Sequence, residues 1–152
     1  LLNKESYDLI SQINDVLEQM SERIEQSKIE IVRNYNPNIN LNVFADLERM
    51  EQVFLNLISN AIKFGNKENC IVDIDVTEKK LFYQFSVKDN GIGIDKKFHD
   101  KIFKIFHFLN KSEKSTGIGL SIVKKIINLY EGDIWIDSEI GKGTIFYFTI
   151  KK

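Results

Sequence analysis

Six of the eight glycines fall in three G-x-G pairs, Gly91/Gly93, Gly117/Gly119 and Gly141/Gly143, and a helix-patterned segment carrying Asn56 and Asn60 precedes all three. Glycine costs about 1 kcal/mol relative to alanine inside a helix and weakens strands too, so each pair marks backbone that turns tightly or approaches a ligand. Three such places in one small chain read as a pocket for a nucleotide.

The pattern around them predicts a two-layer fold. Tyr7, Ile10, Ile13, Leu17, Met20 and Ile24 recur at helical spacing, which predicts an amphipathic helix over residues 6–26 with Ser6 as its N-cap. Two short apolar runs, around Ile31 and from Leu41 to Phe44, flank a turn at Pro37, and Asp46 caps a long helix to Phe64. Residues 71–77 and 81–88 alternate apolar and polar across the short link Thr77-Glu78-Lys79-Lys80, as an antiparallel hairpin does. A short helix over 95–106, a polar loop over 107–116, a helix over 117–130 and strands over 133–138 and 143–150 complete the chain. Helices set apart from a mainly antiparallel sheet make an α+β fold, a two-layer α/β sandwich of about five strands covered by about three helices. The βαβ alternation of a doubly wound sheet is missing, so none of the glycine pairs is a Rossmann fingerprint, and no phosphate-binding G-x-x-x-x-G-K-[ST] loop is present.

Composition narrows the function. A chain of 152 residues that is 43% apolar suits one domain over residues 1–152. With 21 basic and 22 acidic residues and no block of like charge, it lacks the footprint of a nucleic-acid binder. No apolar stretch reaches the length of a membrane span and the start lacks a signal-peptide pattern, so we expect a cytoplasmic domain that makes no membrane contact itself, although its parent could be anchored. The lone Cys70 has no partner for a disulfide or a metal site and reads as structural.

On the helix from Asp46, Gln52, Asn56, Asn60 and Lys63 fall on one narrow polar stripe among apolar positions. Such a stripe is either a solvent face or a slot. Solvent faces usually carry Glu and Lys, whereas two carboxamide oxygens one turn apart suit a magnesium ion that already carries phosphate oxygens, with Lys63 neutralising phosphate. Asp89-Asn90-Gly91 reads alone as a hairpin turn, yet no alternating strand follows it. A strand-end Asp89 beside Ile92 and Ile94 could instead accept from an exocyclic amine such as adenine N6. The segment Ser115-Thr116-Gly117-Ile118-Gly119-Leu120-Ser121 opens a helix, where free amides and the helix dipole favour phosphate, or where Ser115 or Thr116 merely caps. Gly141-Lys142-Gly143-Thr144, between two strands, reads as an ordinary turn.

In this order the elements resemble the catalytic and ATP-binding domain of sensor histidine kinases, in the GHKL superfamily with its Bergerat fold. The resemblance covers essentially the whole chain. Residues 52–64 look like the N box, Asp89-Asn90-Gly91-Ile92-Gly93 the first glycine box, and Ile102-Phe103-Lys104-Ile105-Phe106 the F box. Thr116-Gly117-Ile118-Gly119-Leu120-Ser121 matches the second glycine box and Gly141-Lys142-Gly143-Thr144 the third. The resemblance implies ATP and Mg2+ as cofactors, Asn60 as the magnesium ligand with Asn56 beside it, Lys63 toward phosphate and Phe64 near the nucleotide. Asp89 would bind adenine, with Gly91, Ile92, Gly93 and Ile94 shaping the base pocket and Thr144 supporting it. Thr116, Gly117, Ile118, Gly119 and Leu120 would border the phosphates, under a short ATP lid over 107–116. The implied reaction moves the ATP γ-phosphoryl group to a histidine, by positioning and charge neutralisation.

Some positions depart from the family. Ile105 and His107 stand where many members have Pro and an aromatic residue, Ser115 replaces a glycine, and only Lys111 or Lys114 could supply a basic lid contact. His99-Asp100 imitates the start of a phosphoacceptor motif, but Lys101-Ile102-Phe103 follows instead of Arg-x-Pro. The expected partners are therefore ATP, a separate dimerisation and phosphoacceptor helical hairpin, and indirectly a response regulator. The chain alone should bind ATP without completing autophosphorylation. Two other readings remain open: a GHKL ATPase, which would need a glutamate where Asn56 stands, and a non-catalytic ATP-binding module.

Overall fold

The computed structural model describes residues 1–38, 40–104 and 118–152. A five-stranded mixed sheet carries the site. Its strands are β2 (Glu30–Asn34), β4 (Ile71–Glu78), β5 (Phe82–Asp89), β6 (Ile134–Glu139) and β7 (Gly143–Lys151), in the order β2-β4-β5-β7-β6. All neighbours pair antiparallel except β2 and β4, which run parallel. A separate two-stranded sheet joins β1 (Glu5–Asp8) to β3 (Asn42–Ala45). Helices α1 (Leu9–Gln19), α2 (Ser21–Gln26), α3 (Leu47–Phe64) and α4 (Ile118–Leu129) complete the described elements. The expected α+β two-layer sandwich is therefore the observed architecture.

Alternation makes one face of the sheet apolar. Val72, Ile74, Tyr83, Phe85, Val87, Phe146, Phe148 and Ile150 are buried under α3 and α4. Phe54 of α3 meets Phe85 edge-on at 5.7 Å, and Phe85 stacks on Phe148 at 4.7 Å. Buried rings of this size supply much of the hydrophobic stabilisation, each removing about 150–250 Å² from water. Cys70 is buried and unpaired, and burial pushes its thiol up from the ordinary value.

Two local expectations are corrected. The first helix begins at Leu9, because Ser6 and Tyr7 pair with Phe44 and Val43 in the small sheet. Asp8, not Ser6, is its cap: Oδ1 accepts the amide hydrogens of Ile10 and Leu41, and Oδ2 that of the Ser11 hydroxyl. The helix breaks at Met20 and resumes as the exposed α2. Within the described part of 95–106 only a single 3-10 turn forms, at Lys96–Phe98, and further turns to Lys104 carry Ile102 into the core.

Asp46 caps α3 as expected, its Oδ1 accepting the Arg49 amide hydrogen at 3.1 Å. Its own buried amide donates to the Tyr130 hydroxyl, 2.7 Å away, just beyond the end of α4. One hydrogen bond thus ties the start of α3 to the end of α4. Replacing Tyr130 by Phe leaves that N–H without an acceptor, which costs about 1–3 kcal/mol. Thermal melts should show Tm lower by roughly 2–12 °C. An unchanged Tm would mean that water or another acceptor replaces the hydroxyl.

Candidate functional site

At one end of the sandwich, between the sheet and the helices, lies a cavity of 320 Å³ lined by Asn60, Phe64, Asp89, Ile92, Gly93, Ile94, Leu120 and Thr144. Every one of these is among the residues singled out in the sequence. Asp95, Phe98, Ile140 and Phe146 line it as well and were missed. Phe146 was legible, since it lies two residues after Thr144 on the same face of β7. Ile140 was not, because nothing in the sequence says which way the β6–β7 turn leans.

Asp89 ends β5 directly opposite Thr144 of β7 and is only 4% exposed. Its Oδ1 accepts the Gly91 amide hydrogen at 2.9 Å. Burial pushes its carboxyl up from the ordinary value of 3.8, opposed by backbone hydrogen bonds from Gly91 and Thr144. The result is a buried acceptor held by the turn that follows it. Ile92 and Ile140 stand exposed at the rim, and a 2.8 Å hydrogen bond from the Gly141 amide to the Ile92 carbonyl joins their loops.

Gly91 is where backbone passes backbone. A side-chain carbon there would lie 1.7 Å from the Phe64 carbonyl oxygen, so the end of α3 can touch the glycine turn only without one. The third pair does more than turn the chain. Gly141 faces open space, but Gly143, at φ +89°, presses against the Asp89 carbonyl, where a side-chain carbon would sit 2.1 Å away.

Asn56 and Lys63 are not in the lining of this cavity. Asn56 Nδ2 donates to the Gln52 carbonyl at 2.8 Å, and its Oδ1 faces Gly119 at the start of α4. Lys63 Nζ sits 5.7 Å over the Phe64 ring. The polar stripe of α3 is thus split, with Asn60 in the cavity and Asn56 against α4. Ile118 and Gly119 open α4, whereas Thr116, Gly117 and the whole loop over 107–116 lie outside the described residues. His99 is turned inward, its Nε2 2.9 Å from the Ile94 carbonyl, a contact that fixes the cavity wall.

Among the described residues no group of three or more His, Cys, Asp or Glu could hold a metal ion. No helix among the described residues is long and apolar enough to cross a membrane.

Residues 45–152 match the family described as histidine kinase-, DNA gyrase B-, and HSP90-like ATPase. Cyanobacterial phytochrome A of Nostoc sp. strain PCC 7120 is 46% identical over 110 residues, covering 71% of this chain and 14% of that protein. Sensor histidine kinase WalK of Bacillus subtilis strain 168 is 39% identical over 134 residues, covering 85% of this chain and 22% of that protein. The chain thus spans less than a quarter of the length of either relative. The nucleotide-free catalytic domain of histidine kinase ThkA superposes with a TM-score of 0.85 at 31% identity, over 99% of this chain and 98% of that one. ThkA has also been solved in complex with the response regulator TrrA. With the fold, the cavity and the family match in agreement, the chain belongs to the histidine kinase-, DNA gyrase B- and HSP90-like ATPases, as an ATP-binding catalytic domain of the sensor histidine kinase kind.

Proposed function

We propose that this domain binds Mg2+-ATP in the cavity at Asp89 and transfers the γ-phosphoryl group to a histidine on a helical hairpin outside residues 1–152. The observation that carries the reading is the buried Asp89 carboxylate among Phe64, Ile92, Ile94 and Leu120. Apolar walls suit a flat base, and a single buried acceptor suits its exocyclic amine. Phosphates would extend from there toward Asn60 and the start of α4, where the amides of Ile118, Gly119 and Leu120 and the helix dipole favour negative charge. Thr116 and Gly117 would border them on the lid side, and Lys63 would neutralise part of their charge.

Asn60 fits magnesium as a neutral oxygen ligand, since Mg2+ commonly takes few protein ligands and keeps phosphate oxygens and waters. When bound, the ion would neutralise charge on the transferring phosphoryl group. Asn56 buttresses the α3–α4 contact. It offers no carboxylate to take a proton from water, which favours transfer over rapid hydrolysis. The hydrogen bond from His99 to the Ile94 carbonyl occupies Nε2 in a structural contact, so we place the acceptor elsewhere. A response regulator then receives the phosphoryl group from that histidine, in the cytoplasm where ATP is supplied.

The test is transfer in trans. With radiolabelled ATP and a panel of histidine-containing hairpins, at least one hairpin should gain acid-labile phosphate. Nucleotide binding without transfer to any of them would identify a non-catalytic module. Replacing Asn60 by Ala should weaken Mg2+-dependent ATP binding by roughly tenfold or more, the scale on which metal-site partners act, while Mg2+-free ADP binding changes little. Equal losses with and without Mg2+ would remove Asn60 as the metal ligand.

A further inference from the structure

Ser138 belongs to no motif of the family resemblance and does not line the cavity, yet its hydroxyl joins three of the segments that build it. The Ile94 amide donates to Ser138 Oγ at 2.7 Å. Ser138 Oγ lies 2.9 Å from the Gly143 carbonyl oxygen and 2.8 Å from Thr144 Oγ1, with Thr144 directly across the β6–β7 pair. A hydroxyl has one proton and two lone pairs. The Gly143 carbonyl can only accept, so it takes that proton, and the hydrogen shared by the two hydroxyls comes from Thr144. Thr144 therefore faces the cavity with lone pairs alone.

At its Asp89 end the polar floor of the base pocket then offers two side-chain acceptors, the Asp89 carboxylate and Thr144 Oγ1. Such a floor welcomes an amino group and repels a carbonyl. We propose that Ser138 is a positioning residue for base selectivity: it clamps the Ile94 wall and turns the Thr144 hydroxyl so that the pocket takes a 6-aminopurine and rejects a 6-oxopurine. The inference rests on the adenine-nucleotide reading of the cavity. It adds to Asp89 a second selecting element, controlled from behind the pocket. Without the Ser138 hydroxyl, Thr144 is free to rotate and donate its proton to a 6-oxo group.

The measurement is the ratio of ADP to IDP affinity by calorimetry on the full chain, with inorganic triphosphate as a probe of the phosphate end. IDP carries a 6-oxo group where ADP carries an amine. Ser138→Ala should lower the ADP:IDP ratio about tenfold, on the order of one buried hydrogen bond gained or lost. Triphosphate binding should stay as in the wild type, and Ser138→Thr, which keeps the hydroxyl, should restore the ratio. Thr144→Val removes the oriented hydroxyl directly and should lower the ratio as far, with no further drop in the double variant. An unchanged ratio in both single variants, or equal losses for ADP, IDP and triphosphate, would overturn the role. Failure of the wild type to bind any adenine nucleotide would instead overturn the nucleotide reading beneath it.

Discussion

Replacing Asp89 by Asn should weaken ATP and ADP binding by about 10- to 150-fold, the worth of a hydrogen bond to a charged group at 1.5–3 kcal/mol. The reason is an imbalance of donors and acceptors. The Gly91 and Thr144 amides both donate to the carboxylate, and an adenine amine would be the third donor. A carboxylate offers two oxygens, whereas a carboxamide offers one and turns a donor toward one of its neighbours. Calorimetry with ADP reads the loss directly. Wild-type affinity in the variant would remove Asp89 from the base pocket.

The same substitution should change how stability depends on pH. Burial raises the folded-state pKa of Asp89 above 3.8, so folding favours the protonated carboxyl. Its stabilising contribution is fully present below the unfolded pKa and is lost as pH rises through the raised folded value. Asn does not titrate. The stability of the variant relative to the wild type should therefore increase as pH rises from the ordinary carboxylate value through that window, as denaturant titrations at several pH values would show. A flat difference would mean that the carboxyl is solvated in the folded protein.

Gly91→Ala should be among the most damaging single methyls in the site. The added carbon meets the Phe64 carbonyl oxygen at 1.7 Å and the carbonyl carbon at 2.7 Å, and backbone on both sides has nowhere to rotate. Overpacking costs roughly 1–3 kcal/mol and occasionally more, and here the end of α3 must separate from the Asp89 turn. We expect Tm to fall by about 6–12 °C, taking the upper end of that cost at 2–4 °C per kcal/mol. Nucleotide binding should be lost with it, because Phe64 and Asp89 line the same cavity. Gly141→Ala is the control. Unlike Gly91, that residue has positive φ, +86°, but open space around it, so the variant should show only the cost of its backbone conformation, about 1–2 kcal/mol, and should keep its ligand. Equal effects at the two glycines would refute the crowding argument.

Most of the sheet and two of the four helices among the described residues could be read from periodicity. The β4–β5 hairpin, the Asp46 cap and the β6–β7 pair are local signals, in which each residue's preference and the side it faces agree. The first helix was misread because Tyr7 keeps helical spacing with Ile10 while its backbone pairs with Val43, 36 positions away. A strand whose partner is that distant leaves no mark in its own neighbourhood. For the same reason the two short runs around Pro37 joined different sheets, β2 beside β4 and β3 beside β1.

The residues by themselves determined which chemistry was on offer: an aspartate at a strand end, carboxamides along one helical stripe, and glycines where backbone had to crowd. Only the tertiary structure decided which of these meet. It set Asn60 into the cavity and Asn56 against Gly119, brought Phe146 and Ile140 to the walls, and placed the Ser138 hydroxyl against that of Thr144. The physical reason is range. Turn chemistry and side-chain periodicity act over a few residues, whereas the burial that raises the Asp89 pKa and the contact between Gly91 and Phe64 exist only once the helices have closed over the sheet.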